Sequence, residues 1–443
     1  MGWQERTIGA CVGLALTCAA GSASASPEDL FGYGGRSSAM GATGAAHARG
    51  FEAAYANPAL LGARMKSKLT LGMLGATFRL DAAGPGLPGR LSTERARGFF
   101  IGADLPLPLG GKLRDRVGLG LAFYTPSDVI VRGRALYPER PQFVVLGDRA
   151  QSVTLRAGLG ANLGYGLRLG VGFAALAEIV GTVVAATDAT GRVGTRVEDQ
   201  LVATYAPAIG ASYDLPSGGD ATYRLGLSFR GKLDARFAVL VDGSKLSSIA
   251  IPVFNIAGLA QYDPAQIVTE VARVRKGNTI AIGAVYKRWG DYPGPLEPTV
   301  LCSDGGTDCG LSPPKIAFRD VVSVRVGAEQ HVTVTPSLDL ALRAGAFFET
   351  SPVPSELPVS QAYDGASRGV STVPTRYFDA ARVAATFGAG LAGKRPLPPV
   401  TFDIFTQVQS LVGRDIGSTD ASFAPAQISG QVLVFGALAG VSF

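Results

Sequence analysis

A strict two-residue alternation of side chains runs through most of this chain. Between Val153 and Leu163 every odd-numbered position is apolar, and every even-numbered position is polar or glycine. Successive side chains of a β-strand point to opposite faces of the sheet, whereas a helix would place Arg156 and Leu159 on one face. The alternation therefore predicts strands that have one apolar face and one polar face.

The same period recurs in fourteen segments. These are 68–78, 98–105, 116–125, 150–163, 167–187, 200–213, 222–239, 266–274, 279–289, 317–334, 338–348, 376–391, 399–411 and 427–443. Short connections, such as those at 164–166, 275–278 and 335–337, alternate with long ones. Transmembrane β-barrels of bacteria combine an even strand number with short periplasmic turns and long outer loops, and they close because lipid cannot satisfy a free edge. We therefore predict an all-β fold, a transmembrane antiparallel β-barrel of about fourteen strands over residues 67–443; a soluble β-sandwich is the open alternative.

One segment competes with this interpretation. Residues 169–186 are almost wholly apolar, as a membrane helix would be. Glu178 lies at the middle, and Gly170, Gly172 and Gly181 weaken a helix there. The three residues 164–166 also suit a hairpin to the preceding segment. We expect a strand.

Composition excludes several other classes of protein. Glycine occupies 59 of 443 positions, and each glycine inside a helix costs about 1 kcal/mol, which disfavours helix bundles. Two His and four Cys are too few for a Cys/His-rich metal protein. The formal charge is only +6 and basic residues form no long run, so no nucleic-acid partner is expected. Motifs for dinucleotide or phosphate binding are missing from the sequence, so we expect no cofactor.

The first 25 residues resemble an export signal. A short apolar stretch, 8–21, precedes the small-residue site Ala23-Ser24-Ala25, and we expect residues 1–25 to be removed. In an exported chain Cys302 and Cys309, which lie in one Gly/Asp-rich loop, are expected to form a disulfide. A terminal aromatic residue, Phe443, fits the last strand of a barrel delivered to the bacterial outer membrane by the barrel-assembly machinery.

Residues 26–66 lack the two-residue period and are rich in glycine and alanine. Such a segment could be a flexible leader or a small plug. A barrel of this size has a lumen wider than its own side chains fill, so we expect an N-terminal hatch inside the lumen.

Several motifs resemble those of the FadL-type outer-membrane transporters of long-chain fatty acids and aromatic hydrocarbons. The hatch motif is Phe-Gly-Tyr-Gly-Gly-Arg-Ser-Ser-Ala-Met-Gly at 31–41, followed by Asn57-Pro58-Ala59. Barrel motifs are Trp289-Gly-Asp-Tyr292, Phe318-Arg-Asp320 through Gly327-Ala-Glu329, Leu342-Arg-Ala-Gly345 and Ser351-Pro-Val-Pro354. Departures from the family pattern are Ala56 in place of an aromatic residue, Gly290 in place of a serine, and the Cys pair in loop 290–316.

The resemblance implies a hatch-plugged barrel that needs no energy coupling. A hydrophobic ligand would descend to a lumen pocket and leave sideways at a kink of the third strand, with Asn57, Pro58 and Ala59 as the gate. Gly118 and Gly120 of the third segment would permit such a kink or a bulge. Ordinary barrel packing explains these two glycines equally well.

Strand phase directs seven arginines into the lumen. Arg156, Arg325 and Arg343 are the candidates for binding a ligand carboxylate, because a guanidinium recognises a carboxylate through two parallel hydrogen bonds. The alternative is a hydrogen-bonded network that fixes the hatch to the wall. Four inward acids accompany the arginines in this interpretation: Glu178, Glu329, Asp339 and Asp403.

The function predicted from the sequence is passive uptake of long-chain fatty acids or other hydrophobic small molecules by a monomer in outer-membrane lipid. A hydrophilic diffusion porin would not need a plug, and an accessory barrel for secretion or attachment is a further alternative. A phospholipase is the weakest alternative, since His331 shares the lumen phase, His47 lies in the hatch and no G-x-S-x-G elbow is present. The chain is not expected to be an enzyme.

Overall fold

The computed structural model describes residues 27–63, 65–91, 93, 95–127, 138–146, 153–187, 193–216, 219–245, 254–294, 296–300, 314–364, 369–394 and 396–443. Predictions for residues 1–26 and for Cys302 and Cys309 lie outside this set. None of the helices in the described part of the chain has the length and apolarity needed to span a membrane.

Fourteen antiparallel strands form a closed barrel. They are β1 Lys68–Ala83, β2 Ala96–Pro106, β3 Val117–Pro126, β4 Thr154–Gly164, β5 Leu167–Thr187, β6 Val193–Leu215, β7 Ala221–Arg230, β8 Gln266–Arg275, β9 Asn278–Lys287, β10 Val321–Thr335, β11 Leu338–Glu349, β12 Arg382–Gly393, β13 Val400–Ser418 and β14 Ala426–Ser442. Each strand pairs with the next, and β14 pairs with β1 from Lys68↔Ser442 to Ala83↔Gln427. The closed all-β barrel predicted from periodicity is therefore confirmed, including a strand rather than a helix at 169–186.

The two ends of the barrel differ in the length of their connections. One end carries compact turns, among them 165–166, 276–277 and 336–337. The other end carries long connections such as 231–265, 288–320 and 350–381. Short additional strands in or near the long connections are Gly89–Leu91, Gln142–Phe143, Leu233–Lys245, Phe254–Asp263, Leu296–Val300, Glu356–Leu357, Val359–Asp364, Gly369–Pro374 and Tyr377–Phe378.

Two predicted strands are wrong in their extent. Segment 376–391 covers the separate short strand Tyr377–Phe378 as well as β12, which begins only at Arg382. The other is segment 222–239. The structure divides it into β7, which ends at Arg230, and the separate strand Leu233–Lys245. The ladder between β6 and β7 stops at Ala208↔Arg230, next to Pro207. Proline has no backbone N–H to donate to a ladder, so the pairing of β7 with β6 ends there, although β6 stays paired with β5.

The barrel has its apolar side outward. In β10 the outward residues Val322, Val324 and Val326 are 44–49% exposed, whereas the inward residues Ser323 and Glu329 are at most 1% exposed. The other strands repeat this arrangement and surround the barrel with exposed Leu, Ile, Val and Phe side chains. A contiguous apolar band of this kind matches the hydrocarbon core of a bilayer. The chain is a transmembrane β-barrel of the outer-membrane type.

Residues 27–63, called here the N-terminal segment, lie inside the barrel. They form the helices α1 Pro27–Phe31, α2 Gly35–Ala39 and α3 Glu52–Ala56, and the 3₁₀ helix Pro58–Gly62. Two further 3₁₀ turns, Gly111–Leu113 and Trp289–Asp291, lie between strands. Helix α2 packs on β11–β14, and the 3₁₀ helix packs on β3–β6 on another part of the wall. The segment therefore reaches across the lumen.

Candidate functional site

A transverse row of glycines supports the 3₁₀ helix of the N-terminal segment. Gly118, Gly160, Gly170 and Gly210 face one another in register across β3, β4, β5 and β6. A Cβ atom at Gly160 would lie 2.3 Å from the carbonyl oxygen of Pro58, and one at Gly210 would lie 1.9 Å from Asn57 Oδ1. Because no side chain fits between them, the backbone of the segment rests directly on the wall.

Asn57 joins three parts of the chain. Its side chain is fully buried, and its Nδ2 donates to the carbonyl oxygens of Ala45 at 2.7 Å and of Ala211 in β6 at 2.9 Å. Its Oδ1 accepts the N–H of Ala59 at 3.1 Å and so caps the 3₁₀ helix that Pro58 begins. An extended φ of −166° at Asn57 is the conformation favoured before proline.

The predicted gate residues all lie at the wall formed by β3–β6, but they do not meet at a single place. Asn57, Pro58 and Ala59 meet β4–β6, whereas Gly118 and Gly120 of β3 lie against Leu61. The ladders of β3 run without a register shift, from Gly98↔Pro126 to Pro106↔Gly118 on one side and from Val117↔Ala161 to Tyr124↔Thr154 on the other. Within these described pairs β3 is closed to both neighbours, and Asn57 bonds to β6 rather than to β3.

Polar side chains of the wall hold the rest of the segment through its backbone. The carboxylate of Glu270 in β8 accepts the N–H groups of Gly44, Ala45 and Ala46 at 2.8–3.1 Å. Across the lumen Gln407 Nε2 donates to the carbonyl oxygens of Phe31 and Ser38 at 2.6 and 2.9 Å. Hydrogen bonds to charged groups are the stronger ones, so Glu270 is a principal anchor.

The candidate arginines are all inside and all paired. Arg343 bonds to Glu329 at 2.7 Å and to Asp403, and Glu329 also binds Arg36 of the N-terminal segment at 2.8 Å. Thus two guanidinium groups, one from the wall and one from the segment, share a single buried carboxylate.

The other two candidates contact the segment directly. Arg156 lies 3.5 Å from Glu28 and 3.6 Å from Asp263, with its guanidinium 4.8 Å from the ring of Tyr55. Arg325 Nη1 donates to the carbonyl oxygen of Ala42 at 2.9 Å. Both arginines therefore attach the N-terminal segment to the wall, and the segment in turn supplies their partners.

Sequence reasoning missed several acids of the lumen. Glu270 and Glu349 are buried on the inner face, and their strand phase could have revealed them. Glu28 and Asp29 lie in the non-periodic segment, where phase carries no information. The side chain of Glu178 lies outside the described residues. In the described ranges, no group of three or more His, Cys, Asp or Glu side chains is placed to hold a metal ion.

Aromatic side chains cover the segment toward the long connections. Tyr33 packs on Phe51, Tyr55 and Phe100 with ring centroids 5.1–5.8 Å apart, and Phe100 continues to Tyr124. Farther out a second cluster combines Tyr262, Trp289, Tyr292 and Phe318 at 4.8–5.5 Å. The lumen is therefore aromatic on this side of the segment.

The opposite side, toward the compact turns, contains a cavity of about 590 Å³. Charged residues of the segment and of the wall line it, including Arg36, Arg49, Glu52 and Arg343. The side chain of His331, placed on the lumen face by its phase, also lines this cavity, with Nε2 3.0 Å from Glu329.

An outward apolar band, a polar inner face and a lumen occupied by the chain's own N-terminus define a class: plugged outer-membrane barrels. Comparison with solved structures specifies the fold further. A Pseudomonas aeruginosa FadL homologue superposes with a TM-score of 0.58 at 16% identity, over 92% of this chain and 97% of that one. The Pseudomonas putida toluene transporter TodX gives 0.54 at 15% identity, over 94% and 99%. The monoaromatic hydrocarbon channel CymD gives 0.52 at 14% identity, over 94% and 98%.

The chain therefore has the fold of the FadL-type channels, as its motifs predicted. No family model and no curated protein sequence matches it. The similar structures are transporters and channels by their descriptions.

Proposed function

We propose that this protein is an outer-membrane channel for passive uptake of hydrophobic small molecules, long-chain fatty acids or aromatic hydrocarbons among them. The observation that supports this most directly is a lumen occupied by the chain's own N-terminal segment, with the aromatic side chains of Tyr33, Phe51 and Phe100 on the side toward the long connections. An open porin would have neither. The FadL-type fold of the hydrocarbon channels supports the same substrate class.

We further infer that the N-terminal segment is a hatch and that it controls a lateral exit. We assign the exit to the wall formed by β3–β6. There the glycine row has no side chains, so the backbone of the 3₁₀ helix lies directly against the backbone of the strands. Since the β3 ladders are closed in this state, opening requires the segment and the wall to move together. Asn57, bonded to both, is the residue that couples them.

Arginines contribute to the hatch in this proposal. Glu28 is a carboxylate of the protein itself, 3.5 Å from Arg156. When the segment moves, Arg156 loses Glu28 but keeps Asp263 at 3.6 Å, and the side of its guanidinium that faced Glu28 becomes available to the carboxylate of a fatty acid. Arg325 donates to the carbonyl oxygen of Ala42 in the segment, and Arg343 donates to Glu329, which also binds Arg36 of the segment. Movement of the segment would therefore change the partners of these two arginines as well.

The test is uptake into proteoliposomes that contain the purified monomer. We expect entry of toluene and oleate, little entry of a hydrophilic sugar, and low ion conductance in planar bilayers. A variant that lacks residues 27–63 should fold into a barrel that conducts ions, because the segment is not part of the wall. Rapid sugar entry through the intact chain would instead establish a diffusion porin, and a truncated barrel that stays closed would disprove the hatch.

A further inference from the structure

Four consecutive apolar residues of a long connection are buried at the end of the barrel that carries the long connections, called here the outer mouth. Residues 143–146, Phe-Val-Val-Leu, belong to the connection between β3 and β4, and each is at most 3% exposed. Connections usually run over the surface of a protein, where water satisfies their backbone groups. This stretch instead packs inward.

The region that it packs into is the aromatic side of the N-terminal segment. Residues 143–146 belong to one continuous cluster of buried apolar side chains with Tyr33 of the segment, Phe100 of β2 and Tyr124 of β3. Because these four residues come from a connection at the outer mouth, their side chains occupy apolar space that a hydrophobic ligand arriving from outside would need. The chain's own side chains therefore take the place of such a ligand.

A short sheet holds these residues at the outer mouth. Gln142–Phe143 pairs in parallel with Tyr377–Phe378 of the connection between β11 and β12, and the two phenylalanine rings are 6.1 Å apart. The N–H of Gln142 donates to the carbonyl oxygen of Arg376 at 3.1 Å, and the N–H of Arg376 donates to that of Pro138 at 2.7 Å. In the described pairings this two-stranded sheet is separate from the sheet of the barrel.

The partner strand Tyr377–Phe378 is anchored to the wall. Arg414 of β13 donates to the carbonyl oxygens of Asp379 at 3.0 Å and of Val353 at 2.8 Å. The carboxylate of Asp379 also accepts the hydroxyl of Ser351 at 2.7 Å. Residues 142–146 can therefore separate from this anchored strand without breaking a ladder of the barrel.

We propose that residues 142–146, called here the strap, occupy the apolar site at the outer mouth and that a hydrophobic ligand binds by displacing them. This inference rests on the hydrophobic uptake proposed above and adds an outer gate to the hatch. A hydrophobic ligand replaces the apolar contacts of the strap, so the exchange leaves little additional apolar surface in water. A sugar cannot replace these contacts, and the strap stays in place.

The first experiment locks the strap with a disulfide. Gln142→Cys combined with Tyr377→Cys places two cysteines on adjacent strands, which lie about 4.8 Å apart, within the range that a disulfide spans. In proteoliposomes we expect uptake of toluene and oleate to be at least about ten-fold lower in the oxidised form than in the reduced form, because the lock removes the open state.

The matched control is Gln361→Cys combined with Thr372→Cys, a facing pair of exposed residues within the connection between β11 and β12. Its uptake should be the same in both redox forms. Wild-type protein given the same oxidant and reductant controls for Cys302 and Cys309. Equal uptake in the oxidised and reduced forms of the locked variant would overturn the proposal.

The second experiment detects displacement of the strap without transport. In Val145→Cys, with Cys302→Ser and Cys309→Ser, we expect maleimide labelling in nanodiscs to be at least about ten-fold faster when toluene is present. Gln361→Cys in the same background is exposed with or without toluene and should label at one rate. An unchanged rate at Val145→Cys would rule out the strap. Faster labelling in a protein that transports no toluene would refute the proposed function and leave the strap in place.

Discussion

Asn57 is the residue on which the position of the 3₁₀ helix depends most directly. One buried amide caps that helix, binds the carbonyl of Ala45 within the segment and binds the carbonyl of Ala211 in the wall. Asn57→Ala leaves these groups unpaired, at about 1–3 kcal/mol for a buried group. We expect lower hydrophobic-ligand uptake and unchanged heat resistance of the barrel, read from heat-dependent gel mobility. Pro58→Ala should act in the same direction, because proline holds Asn57 extended.

The matched control for Asn57 is Asn278→Ala. Asn278 donates to Gln330 at the barrel surface and does not contact the N-terminal segment in the described structure. Uptake should be normal in this variant. If Asn57→Ala also transported normally, the amide would only pack the segment; if it failed to form a barrel, its role would be structural.

Glu52 makes the attachment of the segment sensitive to pH. Its carboxylate accepts the N–H groups of Arg36 and Ser37 at 3.0 and 3.3 Å. Burial raises its pKa from the ordinary 4.5 to about 7. An acid with a raised pKa in the folded state stabilises that state fully below its ordinary pKa, and the stabilisation is lost as the pH rises through about 7. We expect conductance and protease access to the segment to increase between about pH 5 and pH 8.

Glu52→Gln tests this assignment, because glutamine stays neutral over the whole range and still accepts a hydrogen bond. The rise of conductance with pH should become smaller in the variant. An unaltered pH profile would mean that another group governs the attachment.

Among the elements, the glycine row and the 3₁₀ helix form one unit. Gly160→Ala would place a methyl group 2.3 Å from the carbonyl oxygen of Pro58, so the helix must move away from the wall. We expect higher ion conductance with the strands still paired, measured in planar bilayers. Gly75→Ala in β1 is the matched control, since the nearest atom to its Cβ is 3.9 Å away. Equal conductance in the two variants would show that the close approach does not seal the lumen.

The strands themselves differ in how they end. The ladder of β6 with β7 stops beside Pro207, after a last hydrogen bond from the N–H of Gly231 to the carbonyl oxygen of Pro207 at 2.8 Å. Periodicity continues through this point in the sequence, which is why residues 222–239 suggested one strand. The end of β7 depends on a proline in the neighbouring strand, and no local pattern within β7 contains that information.

At the scale of the whole molecule, stability in the membrane depends on apolar side chains that face outward to the lipid and polar side chains that face the lumen. Val324 is 49% exposed on the outer face of β10. Val324→Arg would place a charge in the hydrocarbon region, at about 2–4 kcal/mol near the midplane of the bilayer. We expect the barrel to unfold at lower urea concentration in lipid vesicles. Leu109→Arg, at an exposed leucine in the turn between β2 and β3, should be nearly neutral; equal losses in both variants would contradict the assignment of the lipid-facing band.

The sequence alone determined the barrel and its two faces. A two-residue period is a local property, so Leu159 could be assigned to lipid and Arg156 to the lumen before any pairing was known. Each of the fourteen predicted segments contains one barrel strand, although several bounds differ. The number of strands follows from the same cause, because a chain that crosses lipid as strands must pair each strand with a neighbour to satisfy its backbone hydrogen bonds.

Only the tertiary structure decided which groups meet inside. Arg36 shares Glu329 with Arg343, and Asn57 bonds to Ala211, across separations of 293 and 154 residues. These contacts depend on the register at which the barrel closes and on the path of a segment without periodicity. The same reason explains why the three candidate arginines were placed in the lumen correctly while their partners could not be identified. Closure brings distant side chains into one small volume, and the pattern of neighbours along the chain does not contain that geometry.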